Sequence, residues 1–100
     1  MTPHVLVVDD EPRMAAVIAQ ALSRAGWHCT TAGSGAEALA AMDAQPADVV
    51  VTDWKMAGLD GLELLRRLRA GWARVPVILV TAHGTVPAAV MLSGKNRRSS

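Results

Sequence analysis

Nothing in this chain of 100 residues approaches the ~20 consecutive apolar residues of a membrane-spanning helix, although 51% of its residues are hydrophobic. The opening Met1-Thr2-Pro3 lacks the basic and apolar regions of a signal peptide, and the single cysteine, Cys29, has no partner in the chain. A disulfide framework is excluded, no membrane association is indicated, and a cytoplasmic location is expected. Internal repeats and an interdomain linker are also lacking, so the length suits one domain. Strong positive charge is missing from the body of the chain. The formal charge of +1 includes Lys95, Arg97 and Arg98, and residues 1–94 alone carry seven basic against nine acidic residues. Such a balance argues against direct nucleic-acid binding, and Arg66, Arg67 and Arg69 read as a solvated helix face. His4, His28 and His83 are too scattered to propose a metal site. Trp27, Trp54 and Trp72 read as packing residues.

What is present centres on Asp48-Val49-Val50-Val51-Thr52-Asp53-Trp54-Lys55-Met56. A β-branched run without polar alternation suits a central parallel strand covered on both faces. Asp53 then stands at the carboxyl end of that strand, where open parallel sheets bind ligands. His4-Val5-Leu6-Val7-Val8 is a second such run and delivers Asp9-Asp10-Glu11. Parallel neighbours would bring Asp9, Asp10 and Asp53 to one point. Clustered carboxylates repel one another, so either full solvation or a shared cation is expected, and a hard divalent ion such as Mg²⁺ takes oxygen ligands of this kind.

The remaining segments alternate between strand and helix. Pro12 suits a first helical turn, after which Met14, Val17, Ile18, Ala21, Leu22 and Ala25 form one apolar stripe that Gly26 terminates. Trp27 to Thr31 reads as a short edge strand. Ser34 and Glu37 form a capping box for a helix over 35–44 that is buried through Leu39 and Met42. Asp60 is a good N-cap for a third helix, with Leu62, Leu65 and Leu68, and Leu64 beside them, on its buried side and Gly71 at its end. Val77 to Val80 reads as a fourth strand leading to Thr81, and Thr85 to Leu92 as a fourth helix. The expected class is α/β, a doubly wound parallel sheet.

The acid pair after the first strand, Asp53 after the third, Met56 and Asp60-Gly61 beyond it, and Thr81-Ala82 after the fourth together resemble the receiver domain of bacterial two-component response regulators. The resemblance covers residues 4 to about 92. It implies a flavodoxin-like receiver fold with strand order 2-1-3-4, and Asp53 as acceptor of a phosphoryl group from a sensor histidine kinase. It further implies Mg²⁺ held by Asp10, Asp53, Asp9 and the backbone carbonyl of Lys55, with Thr81 as the hydroxyl that follows the phosphoryl group when the domain switches. Lys55 and His83 fall at positions that tune phosphate loss. The expected role is that of a phosphoacceptor, not of an enzyme turning over external substrates.

Two departures from the pattern stand out. Ala57 occupies a position where proline is usual, and the fifth strand, with the lysine at its end, is not found. Residues 1–94 are therefore read as a C-terminally incomplete receiver and 95–100 as a disordered basic tail. An uncovered fourth-strand edge is expected to favour homo-oligomers. The alternative reading is a degenerate receiver that only binds protein or itself. A dinucleotide-binding domain would need a glycine-rich turn where this chain has Asp9-Asp10-Glu11. A haloacid-dehalogenase-type hydrolase would need an acid where Lys55 stands.

Overall fold

Valine-rich segments free of polar interruption build the centre of the sheet, and polar or glycine-bearing segments close the helices around it. The computed structural model describes residues 2–53 and 61–80. Strands β1 (His4–Val8), β2 (His28–Ala32), β3 (Val49–Asp53) and β4 (Val77–Val80) alternate with helices α1 (Pro12–Arg24), α2 (Gly35–Ala44) and α3 (Gly61–Gly71). All strand pairs are parallel and the order is β2-β1-β3-β4, as the sequence led us to expect. Chain direction across the sheet reverses between β1 and β3.

Strand parity divides the side chains between two faces. Leu6, Val8, Ala32, Val50 and Val77 pack with Ala38 and Met42 of α2 and with Leu64 and Leu68 of α3. On the opposite face Val5 and Val7 pack with Ala15 of α1, and Ile18 and Leu22 close around them. A helix on one face and two on the other is the outcome of crossovers of one hand that run in opposite directions from β1. Every residue of β1 is buried. At ~1.5–3 kcal/mol per fully buried aliphatic side chain, this strand anchors the fold. In β3 only Val50 and Thr52 are fully covered, whereas Val49 and Val51 are half-buried. They lie on the face of α1, which packs chiefly over β1 and β2. Complete cover of β3, expected from its composition, is thus seen on one face among the described residues.

Local chemistry explains most of the element ends. Pro12 occupies the first turn of α1, and Gly26, at φ 103°, reverses the chain after it. The Trp27 amide donates to the Leu22 carbonyl at 3.0 Å. That bond holds Trp27 in the helix stop, so β2 starts and ends one residue later than the sequence suggested. Ser34 accepts from the Glu37 amide at 3.1 Å, while Glu37 Oε1 accepts from the Gly33 amide at 2.8 Å. At the base of the sheet the carboxylate of Asp48 accepts from the His4 amide at 2.8 Å, tying the approach to β3 against the start of β1.

Two buried faces differ from the sequence reading. In α1 the covered positions are Ala15, Ile18, Ala19 and Leu22, while Met14 and Val17 are exposed. The alanines let the helix lie close to the sheet, and the stripe is rotated by about one position toward them. In α3, Leu64 and Leu68 are fully buried, Leu65 is half-buried and Leu62 is exposed. The Asp60 cap, the loop from Trp54 to Leu59, Thr81 and the expected fourth helix lie outside the described residues. Among the described residues no helix is long and apolar enough to cross a membrane.

Candidate functional site

Parity that buries Val5 and Val7 against α1 also places Asp9, the next odd position, on that side of the sheet. The Asp9 amide donates to the Ala32 carbonyl at 3.0 Å, so the β1–β2 ladder continues as far as this residue. Along β3 the same alternation carries Val49, Val51 and Asp53 to the α1 face, with Asp53 opposite Val80 in register. Both acids therefore emerge at the carboxyl edge of neighbouring strands, where strand order reverses. Open α/β sheets form their ligand crevice at this position.

Carboxylate oxygens of Asp9, Asp10 and Asp53 all lie within 4.8 Å of one another. Asp9 is buried, Asp53 half-buried and Asp10 exposed. Asp9 Oδ1 accepts from the Glu11 amide at 2.9 Å, which fixes the turn into α1. The three acids open into a cavity of about 330 Å³. Glu11 adds a fourth carboxylate to its lining, and Met14, Ile18 and Val80 form an apolar wall. Like charges this close disfavour one another in the absence of a cation. An octahedral Mg²⁺ binds oxygens at 2.0–2.1 Å, so its ligands lie within about 4.2 Å of each other. Shifts of a few tenths of an ångström, or one water between ion and carboxylate, bring the three aspartates to that arrangement. The oxygen-only donor set fits a hard divalent cation.

Of the sequence-derived site residues, Asp9, Asp10 and Asp53 are thus brought together, whereas Lys55 and Thr81 lie outside the described residues. Met14, Ile18 and Val80 were not singled out as site residues. Their signal lies in placement, because α1 and β4 flank the two acid-bearing strands. His4 and His28, distant in sequence, meet through the β1–β2 register with ring centroids 4.9 Å apart. His4 Nε2 is 2.7 Å from Thr30 Oγ1. Among the described residues the aspartates form the one group of three or more ligating side chains. Cys29 faces α1, with its Sγ 3.4 Å from the Ala19 carbonyl, and burial pushes its thiol pKa up.

The family profile for the response regulator receiver domain matches residues 5–95. The "Probable transcriptional regulatory protein TcrX" of Mycobacterium tuberculosis is 46% identical over 82 residues, covering 82% of this chain and 35% of that protein. The DNA-binding transcriptional regulator NtrC of Escherichia coli is 43% identical over 86 residues, covering 86% of this chain and 18% of that protein. The chain thus spans about a third or less of the length of these two relatives. Among solved structures, the receiver domain of NtrX from Brucella abortus superposes with a TM-score of 0.80 at 32% identity, covering 94% of this chain and 80% of that one. Response regulator protein TrrA from Thermotoga maritima, in complex with Mg²⁺-BeF, gives a TM-score of 0.78 at 34% identity, covering 81% of this chain and 70% of that one.

Proposed function

The chain belongs to the response regulator receiver domain family, and we propose that within it Asp53 is the residue that accepts a phosphoryl group from a sensor histidine kinase. The observation that carries this reading is the convergence of Asp9, Asp10 and Asp53 within 4.8 Å at the strand-order reversal. Family membership supplies the chemistry, that of a phosphoacceptor module in two-component signalling. In the proposed step a carboxylate oxygen of Asp53 attacks phosphorus. The bond from phosphorus to the donor nitrogen breaks, and its electron pair returns to the imidazole. The product is an acyl phosphate on Asp53.

Phosphoryl transfer asks the protein mainly to position the groups and offset charge. Asp53 is held in place by its strand and is only half-buried, so its oxygens are reachable from the cavity. Asp9, Asp10 and Asp53, with the backbone carbonyl of Lys55, would hold Mg²⁺, the same ion present in the Thermotoga relative. When bound, the ion offsets negative charge shared by the carboxylates and the transferring group. Thr81 is assigned the hydroxyl that follows the phosphoryl group. A phosphoryl group adds roughly −1.5 to −2 charge and strong acceptor oxygens at the edge of β3. That charge is the signal passed to the surrounding loops. Similarity to transcriptional regulators supports an output in transcription for a protein carrying this domain.

Intact-mass analysis after incubation with Mg²⁺ and a small phosphodonor tests the assignment. One phosphoryl adduct is expected on the wild type and none on Asp53→Asn, with circular dichroism showing both chains folded. An adduct that survives in Asp53→Asn would overturn the assignment. Absence of an adduct on the folded wild type would favour a module that only binds protein.

A further inference from the structure

We propose that Glu11 sets which phosphoryl donors the site accepts, favouring leaving groups that depart neutral, such as imidazole, over carboxylates that depart as anions. The inference rests on phosphoryl acceptance by Asp53. Glu11 lines the same cavity as Asp53 yet stands apart from the three-aspartate group. Its place is fixed from the backbone, because its amide donates to Asp9 Oδ1 at 2.9 Å. Glu11 is the N-cap residue of α1, but its side chain makes no capping hydrogen bond. No cation is paired with it among the described residues. An exposed carboxylate, occupied neither with the helix nor with an ion pair, therefore faces the space the donor must cross.

Apart from the acids, the cavity lining is apolar, formed by Met14, Ile18 and Val80. A flat imidazole fits such a wall, and a thioether such as that of Met14 makes favourable contacts with aromatic rings. Charge decides more sharply. When phosphoimidazole protonated on its second nitrogen reacts, the phosphorus–nitrogen bond breaks and imidazole leaves neutral. When acetyl phosphate reacts, the phosphorus–oxygen bond breaks and acetate leaves with a full negative charge. In both cases the new bond runs from phosphorus to a carboxylate oxygen of Asp53. The leaving groups differ by one unit of charge, and Glu11 repels only the anionic one. At a few ångström in a water-like medium, one carboxylate changes that selectivity about three- to five-fold.

The experiment measures Asp53 phosphorylation of the full chain, with Mg²⁺, by phosphoimidazole and by acetyl phosphate. It compares the wild type with Glu11→Gln, Glu11→Lys and Asp43→Asn. Asp43 is an exposed acid near the far end of α2, so its variant changes net charge without touching the cavity. The phosphoimidazole-to-acetyl phosphate rate ratio is expected to fall about three- to five-fold in Glu11→Gln and further in Glu11→Lys. It should hold in Asp43→Asn, and the differences should shrink in high salt. A ratio unchanged across the Glu11 series, or shifted equally by Asp43→Asn, overturns this inference alone. Absence of any adduct from either donor overturns the phosphoacceptor reading, and this inference with it.

Discussion

Replacing Asp9 by asparagine should stabilise the metal-free protein and remove its response to Mg²⁺. The isostere keeps an oxygen that can accept from the Glu11 amide, now at 2.9 Å from Asp9 Oδ1, so the turn into α1 is preserved. What changes is charge. Two unit charges at the 4.8 Å limit of the aspartate group repel by about 0.9 kcal/mol at the dielectric constant of water and about 3.5 kcal/mol at an effective value of 20. Asp9 takes part in two such pairs, with Asp10 and with Asp53, and solvent reaches Asp10 freely. A gain of about 1–2 kcal/mol at low ionic strength is the reasonable expectation. For a domain of this size, each kcal/mol moves Tm by roughly 4–8 °C. Urea titration in chelator, at low and high salt, measures the gain and its screening. Mg²⁺ should then close most of that gap, since free ion at about ten times Kd stabilises the wild type by roughly 1.4 kcal/mol and should do little for Asp9→Asn. The reasoning is refuted if Asp9→Asn is no more stable than the wild type in low-salt chelator, or if Mg²⁺ stabilises both proteins equally.

Two further outcomes are expected. Met42 is fully buried, and its Sδ accepts from the Ala47 amide at 3.3 Å. Met42→Ala should cost about 2–5 kcal/mol, chiefly through the cavity left behind. Met42→Leu restores volume but not the acceptor, so about 1–3 kcal/mol should be lost to the orphaned amide, and urea midpoints equal to the wild type would show that this bond contributes nothing. Because burial raises the Cys29 pKa, the fold favours the neutral thiol. Alkylation should be slow in the native protein and fast in urea. The associated stability should be fully present below the ordinary thiol range and lost as pH rises through it, and equal alkylation rates in both states would contradict the assignment.

Much of this structure is legible in the chain because strand ends coincide with changes of residue type. The bounds of β1 and β3 follow from β-branched and apolar runs that lead into Asp9 and end on Asp53, and β4 starts with the apolar run after Pro76. The start of α2 follows from Ser34, which accepts from the Glu37 amide as the sequence implies, while Glu37 reaches back to the Gly33 amide, one residue before the expected Ser34. Faces of helices are harder to read. Periodicity weighs an alanine and a methionine alike, yet close packing on a sheet favours the smaller side chain. Ala15 and Ala19 thus turn inward, and Met14 is left beside the cavity. The meeting of Asp9, Asp10 and Asp53 was legible once two parallel strands were inferred. The meeting of His4 with His28 was not, since it depends on the register of β1 against β2, which neither segment announces.

Register carries a consequence for function as well. Side chains alternate along a strand, so a shift of β3 by one residue against β1 would turn Asp53 toward α2 and α3 and bring Thr52 into its place. The hydrogen bond from the His4 amide to the Asp48 carboxylate, 2.8 Å long at the opposite end of the sheet, works against that shift. Asp48 is exposed and lies far along the strands from the acids, yet it fixes the count of residues between the base of the sheet and Asp53. A chain misaligned by one step would keep its helices and strands and lose its chemistry. Phosphoryl uptake by Asp53, as proposed, would accordingly also report on how the strands were counted during folding.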